Sequence, residues 1–234
     1  MDTLLIIFAK EPMPGQVKTR LCPPLSHAVA ASLYGDFLED ILEEMRQLPH
    51  IRLALAYTPA GAEWFFRRLA PKAHLWVQAG ADLGERQAGA FAWGFGLGYK
   101  VVLVRGTDTP DLPKELVLEA AEALKTKKAE VVLGPSQDGG YYLVGLTQPH
   151  PELFQGLAWS TDRVLADTLA RVRELQLTAH LLPQWLDIDG YNDLLAFSRR
   201  PIMPPHPGWR THRSIQSHLG MAKGGHFSDW LDQE

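Results

Sequence analysis

The sequence predicts a single-domain α/β protein, a mostly parallel sheet flanked by helices, and three observations carry that expectation. Short apolar, β-rich runs alternate with segments of helical period through most of the chain, as in a parallel sheet covered by helices. A length of 234 residues fills one such domain and would strain two. With 46% hydrophobic and 21% charged residues, the chain can bury a sizeable core, and disorder or a collagen-like repeat is excluded.

The elements follow in order. Strands are expected at 4–9, 51–57, 74–77, 101–104, 131–134, 141–145 and 179–182. The first run is too short for a signal sequence or a membrane span, and Asp2 precedes it where a signal would carry basic residues. Ser26 can cap a long helix in which Val29, Leu33, Phe37, Ile41, Met45 and Leu48 recur every three or four residues. Further helices are expected at 62–69, 84–97, 114–124 after Pro113, and 161–175 with Ser160 as cap. Gly94, Gly96 and Gly98 close a helix before a strand, the reverse of the dinucleotide-binding order, and are assigned to packing and helix termination. After Arg200 the composition shifts to Pro201, Pro204, Pro205 and Pro207 with no apolar period. The expected division is therefore a domain at 1–200 and, at 201–234, an appendage wrapping it or a mobile tail.

Charge and cysteine content narrow the function classes. Lys and Arg number 23 against 27 Asp and Glu, a net charge of −4, which lacks the basic footprint of a nucleic-acid binder. Neither nucleic acid nor membrane is expected as a partner. The lone Cys22, read as an inert buried thiol, cannot form an internal disulfide, so a cytoplasmic address fits. His206, His212, His218 and His226 have no zinc-ligand spacing and are read as solvated or packed.

In an open parallel sheet, ligands bind beyond the carboxyl ends of the strands. The loop after the first strand, within FAKEPMPGQVKTRL, holds Lys10, Lys18 and Arg20 around Pro12, Pro14 and Gly15. Such a loop suits phosphate: the turn exposes backbone N–H groups, Lys adds a point charge and Arg a two-pronged donor. After the fourth strand, Asp108 in RGTDTPDLP stands where a carboxylate can hold Mg²⁺ or Mn²⁺, while Asp111 reads as a helix cap. GPSQDGGYYLVGL offers Asp138 to an ion or a substrate hydroxyl, with Gly139 and Gly140 permitting close approach. The competing use of Asp138 is a hairpin turn. In LDIDGYNDL, Asp187 and Asp189 share one face of an extended segment, and one of them could complete a metal site. The competing structural use is Asn192 or Asp193 as a helix cap. Trp159 is placed in the lining of an acceptor pocket.

Taken in order, FAKEPMPGQVKTRL, GADLGERQAGAF, GTDTPDL, GPSQDGGYYLVGL, GLAWST and DIDGYNDL resemble a bacterial family of glycosyltransferase-like proteins over residues 4–197. That family belongs to the nucleotide-diphospho-sugar transferase superfamily, with the GT-A fold. More distantly, the chain is similar to phospholactate guanylyltransferase and to the molybdenum-cofactor guanylyltransferase. The resemblance implies that Gly15, Lys18, Thr19 and Arg20 take the nucleotide phosphates, with Lys10 beside them. It also implies that Asp108 and Asp189 hold the metal.

The function expected is a metal-dependent transfer. In the favoured form a small phosphorylated or hydroxyl acceptor attacks a nucleoside triphosphate, with Lys18, Arg20 and Asp108 as catalytic residues and Mg²⁺ or Mn²⁺ as cofactor. Glycosyl transfer from a nucleotide sugar is the second form. The substrate side is assigned to Asp138, Gly139, Gly140 and Trp159. The rival is a non-catalytic nucleotide-binding or regulatory module, and oligomeric state is left open.

Overall fold

A computed structural model describes residues 2–220. Its strands are β1 (Thr3–Lys10), β2 (Ile51–Thr58), β3 (His74–Val77), β4 (Val101–Arg105), β5 (Val131–Pro135), β6 (Tyr141–Leu146) and β7 (Ala179–Leu181). They form one seven-stranded sheet in the order β3-β2-β1-β4-β6-β5-β7. β1 is parallel to both β2 and β4, β6 runs antiparallel to β4 and β5, and β7 returns parallel to β5. The mostly parallel sheet is as expected. The strand order turns around between β1 and β4, the crevice where this architecture binds ligands.

The β1 run is almost wholly apolar because both sheet faces are covered. Leu5 and Ile7 pack towards α1 (His27–Met45) and α4 (Lys114–Lys125), while Leu4 and Ile6 pack towards α3 (Leu83–Gly96) on the opposite face. α2 (Glu63–Leu69) adds Phe66 to the first layer, and α5 (Val164–Glu174) adds Val172 to the second. Ser26 caps α1 as expected, its Oγ accepting the Val29 N–H at 3.2 Å. A Cβ on Gly94 would meet Val102 and Leu4, so that glycine serves packing between α3 and the sheet.

Three expectations are corrected, those for Ser160, Asp111 and Cys22. Ser160 does not cap α5. It stands four residues ahead of Val164, the first of the helix, with φ +63, and the helix start is instead fixed by the Leu165 N–H donating to the Gly139 carbonyl at 2.8 Å. Asp111 does not cap α4, whose N-cap is Pro113. Its buried carboxylate accepts the Trp185 indole N–H at 3.0 Å and pairs with Arg200. After α6 (Tyr191–Ser198), the described part of the stretch beyond Arg200 forms α7 (Trp209–His218), which packs on α1. The buried face of α7 is Thr211, His212 and Ile215, two of them polar, so no apolar period advertises it. Asp40 of α1 caps it, accepting the Thr211 N–H at 2.7 Å and the Arg210 N–H at 3.3 Å. Finally, Cys22 is half-buried. His212 is packed, His206 and His218 are exposed, and His226 lies outside the described residues. Among the described residues no helix is long and apolar enough to cross a membrane.

Candidate functional site

The loop after β1 is pinned by Val17 and Leu21, apolar residues buried on either side of Lys18. Between these anchors Lys18 takes a left-handed backbone, φ +48, which costs a non-glycine residue about 1 kcal/mol and needs compensating contacts. Its side chain supplies them. Only 6% exposed, it runs inward past the Phe37 ring, and its ammonium donates to Asp108 Oδ1, to the Ile188 carbonyl at 2.6 Å and to Asp189 Oδ1 at 3.4 Å. Burial alone would lower the Lys18 pKa, yet the Asp108 and Asp189 carboxylates outweigh it and hold the ammonium above its ordinary value.

Asp108 and Asp189 meet because the chain after β7 crosses the carboxyl edge of the sheet. The Leu182 N–H donates to Leu133 at 2.9 Å, Trp185 to Pro135 at 3.0 Å and Ile188 to the Asp108 carbonyl at 2.8 Å. Asp193 then accepts the Gly190 N–H at 2.7 Å and the Asp189 N–H at 3.2 Å, starting α6 and fixing the Asp189 backbone. The capping reading of Asp193 thus holds beside, and in support of, the Asp189 position. Beneath the β4 loop, fully buried Arg105 donates to the Thr109 carbonyl at 2.8 Å and to Thr109 Oγ1 at 3.0 Å. Burial lowers its pKa to about 10. The Tyr34 hydroxyl accepts the Lys10 N–H at 3.1 Å and meets Thr107 Oγ1 at 2.9 Å, tying the ends of β1 and β4 together.

Two adjoining cavities open from this point. The first, about 520 Å³, lies over β1 and β4 and is lined by Lys10, Lys18, Thr19 and Arg20 of the first loop, by Gln78 and Arg86, and by Asp108 and Asp189. The second, about 580 Å³, lies between the β5–β6 hairpin and the chain leading into α5, and its lining includes Asp138, Gly140, Trp159, Asp187 and Asp189. Both have the size of small-molecule sites. Arg20 belongs to both, 71% exposed and with its guanidinium 3.7 Å from Asp189 Oδ2.

The structure thus brings Lys18, Arg20, Asp108 and Asp189 together, with Asp138 close by, and corrects several readings of the others. The Lys18 ammonium donates to three protein oxygens, those of Asp108, Ile188 and Asp189, at the edge of the first cavity. Gly15 and Gly139 do not line the cleft. Gly15, φ +77, turns the first loop, and Gly139, φ +87, lies against the Asp162 carbonyl where a Cβ would collide. Asp138 performs the hairpin work, its Oδ1 accepting the Gly140 N–H at 2.9 Å and the Ser136 hydroxyl. Trp159 sits edge-on to Tyr141 with ring centroids 6.5 Å apart, and its buried indole N–H has no partner.

Sequence reasoning left Asp187 as an alternative to Asp189, and the structure brings both carboxylates to one place. Ligand oxygens of Asp138, Asp187 and Asp189 lie within 4.8 Å of one another. Burial, then the neighbouring Asp138, pushes the Asp187 carboxyl up to about 6. Burial and Asp108 likewise raise Asp189, with Lys18 opposing. A donor set of carboxylate oxygens without sulfur or imidazole fits a hard divalent cation such as Mg²⁺ or Mn²⁺. Arg105 and Tyr34 were missed. An arginine ending an apolar strand was the available signal for the first; nothing distinguished Tyr34 from its neighbours in the helical stripe.

The family described as "Uncharacterized protein conserved in bacteria (DUF2064)" matches residues 41–161, and the chain belongs to it. No curated protein matches the sequence. A crystal structure from Desulfovibrio desulfuricans, provisionally described as a nucleotide-diphospho-sugar transferase, is 32% identical; the match covers 94% of this chain and 96% of that one, with a TM-score of 0.86. A cytidylyltransferase from Leptospira borgpetersenii shares 12% identity over 97% of this chain and 98% of its own, with a TM-score of 0.55. The 4-diphosphocytidyl-2C-methyl-D-erythritol synthase of Anaerococcus prevotii shares 13% over 85% and 96%, with a TM-score of 0.54. The last two show the fold alone. The chain has the nucleotide-diphospho-sugar transferase fold.

Proposed function

We propose that the chain is a metal-dependent transferase that binds a nucleoside triphosphate or nucleotide sugar in the cavity over β1 and β4 and passes part of it to a small acceptor in the adjoining cavity. The observation that carries the reading is the convergence of Lys18 with Asp108 and Asp189 at the turnaround of the strand order. A solvated basic loop would leave its lysine in water.

Asp108 and Asp189 would hold the divalent cation, which when bound supplies charge neutralisation for phosphate oxygens. Arg20, exposed at the junction of the cavities, reaches the phosphates, joined by Lys10 from the end of β1. Lys18 keeps the two carboxylates within reach of each other when no cation balances them, and its ammonium becomes free for phosphate once one does. Tyr34 and Arg105 hold the β1 and β4 loops in register. In nucleotidyl transfer an acceptor oxygen attacks the α-phosphorus in line, pyrophosphate leaves and the acceptor loses its proton.

Glycosyl transfer is the second reading, favoured by one observation: the relative at 32% identity carries a sugar-transferase description. Phosphorus NMR of the full chain with nucleoside triphosphates or nucleotide sugars, Mg²⁺ and an acceptor panel separates the two. Released pyrophosphate means nucleotidyl transfer, and released nucleoside diphosphate means glycosyl transfer. Titration calorimetry that finds no nucleotide bound, with or without the ion, would overturn both.

A further inference from the structure

Asp108 is half-exposed on a loop, yet a metal ligand must be held to within about 0.5 Å. That loop is held from several sides. Buried Thr109 accepts Arg105 through its carbonyl and its hydroxyl, and Pro110 follows at the second place of a turn that the Leu112 N–H closes on the Thr109 carbonyl at 3.3 Å. Asp111, the third residue of the turn, is a buried carboxylate with both oxygens taken, Oδ1 by the Trp185 indole N–H at 3.0 Å and Oδ2 by Arg200. The chain returning after β7 therefore meets the loop at two points. The Ile188 N–H donates to the Asp108 carbonyl at 2.8 Å and Trp185 donates to Asp111, contacts three residues apart on each chain and in opposite order along them. Such a pairing fixes a register, and the register brings Asp189 opposite Asp108. The stretch beyond Arg200 then covers the same carboxylate: Gly208 packs so closely that a Cβ there would stand 2.8 Å from Asp111 Cβ. An ion pair closed off in this way contributes geometry more than stability, because desolvation offsets most of its attraction.

We propose that Asp111 and Arg200 are positioning residues for Asp108 and Asp189, and that the stretch beyond Arg200 belongs to the machinery of the site because it keeps Asp111 covered and paired. The assignment rests on the reading above, in which those two carboxylates hold the cation. Neither Asp111 nor Arg200 lines either cavity of the cleft, so they act through the turn at Thr109–Leu112 and through Trp185. Without the Asp111 charge, Trp185 and Arg200 lose their common partner and the returning chain keeps one point of register where it had two. Asp189 is then placed by the Ile188 backbone contact and by Lys18 alone, and its distance from Asp108 loosens.

The test uses the full chain and two readouts, amide hydrogen exchange by NMR without metal and the affinity for Mn²⁺ alone by electron paramagnetic resonance. In Asp111→Asn the Ile188 N–H should exchange faster by about tenfold or more, while the Leu182 N–H, bonded to Leu133 earlier on the same returning chain, stays within about twofold of wild type. Mn²⁺ affinity should fall by about tenfold or more, as it does when residues supporting metal ligands are lost. Arg200→Gln should act in the same direction and Arg200→Lys should restore most of the affinity. Trp185→Phe, which leaves the Asp111 and Arg200 pair intact, carries the same expectation for Ile188 should Asp111→Asn not fold. The control is Asp40→Asn, which weakens the cap of α7 and should lower the melting temperature while leaving the Ile188 exchange and Mn²⁺ affinity unchanged. Ile188 and Leu182 shifting alike, or Asp40→Asn reproducing the Mn²⁺ loss, would overturn the proposal by reducing it to general stability. Wild type that binds no Mn²⁺ removes the cation reading instead, and the exchange pattern still decides whether Asp111 sets the register.

Discussion

The two halves of the cleft are built differently, and the difference explains their chemistry. The half over β1 and β4 is made from loops that directly follow parallel strands, and it collects Lys10, Lys18, Arg20 and Arg86. The other half is made by a hairpin and by a chain returning across the sheet edge, and it collects aspartates, of which Asp138 and Asp193 accept backbone N–H groups. Lys18 belongs by sequence to the first half and by its contacts to the second. The boundary between the two halves is thus one ion-pair network around the buried Lys18 ammonium, and changing it should have the largest effect on both.

Lys18→Met is the strongest way to break the comparison. It leaves Asp108 and Asp189 facing each other with only the exposed Arg20 guanidinium beside them, 3.7 Å from Asp189, and removes the buried ammonium that bridges the two carboxylates. Transfer should fall by about 100-fold or more. Without metal the variant should melt lower, by about 1–3 kcal/mol, and Mg²⁺ should raise its melting temperature more than the wild type's, because the ion no longer competes with an ammonium. Equal Mg²⁺ responses would mean that Lys18 and the cation do not share the carboxylates. Asp108→Asn ranks next. Its side chain is 48% exposed, so stability should move by less than about 1 kcal/mol while Mg²⁺-dependent nucleotide affinity falls about tenfold. Unchanged affinity by calorimetry would remove Asp108 from the site.

The same contrast governs how much the sequence revealed. The sheet was legible because strands buried on both faces, such as Leu4 to Ile7, leave unbroken apolar runs, and helices with one buried face leave a 3.6-residue period. The cation-bearing loop was legible because it directly follows such a run. α7 was hidden because its buried contacts are Thr211 and His212, and the residue that caps it, Asp40, lies on α1. Asp111 reads as a cap in any one-dimensional view, since Trp185 and Arg200 reach it only through the fold. The Asp138, Asp187 and Asp189 cluster was half legible. Alternation put Asp187 and Asp189 on one face, but their meeting with Asp138 depends on the return of the chain across β5.

pH should sharpen the contrast within the carboxylate half. Burial holds the Asp187 carboxyl at about 6 in the folded chain, above its ordinary value of 3.8. The folded state therefore binds this proton more tightly than the unfolded one, so stability rises as pH falls from above 6 towards 4 and gains nothing further below that. Asp187→Asn removes the charged form. In metal-free buffer the variant should be more stable than wild type at pH 7 by about 2 kcal/mol, with the difference closing towards pH 4. A constant difference across that range, measured by thermal melts, would show that Asp187 is not held protonated by its surroundings.

Arg20→Gln should give the smallest effect and the clearest reading of the boundary itself. Arg20 is 71% exposed and its contact with Asp189 is 3.7 Å, so the pair contributes little, and stability should stay within about 0.5 kcal/mol of wild type. Its value lies in where it stands, at the one place where both cavities share a cation. If the loop reads phosphate, losing this charge should weaken a nucleoside triphosphate by about three- to tenfold and leave the free nucleoside unchanged, and added salt should reduce the wild-type advantage. Equal losses for nucleotide and nucleoside would show that Arg20 shapes the cavity without answering phosphate. The cations of the first half would then be a solvated rim, and the contrast between the halves would rest on Lys18 alone.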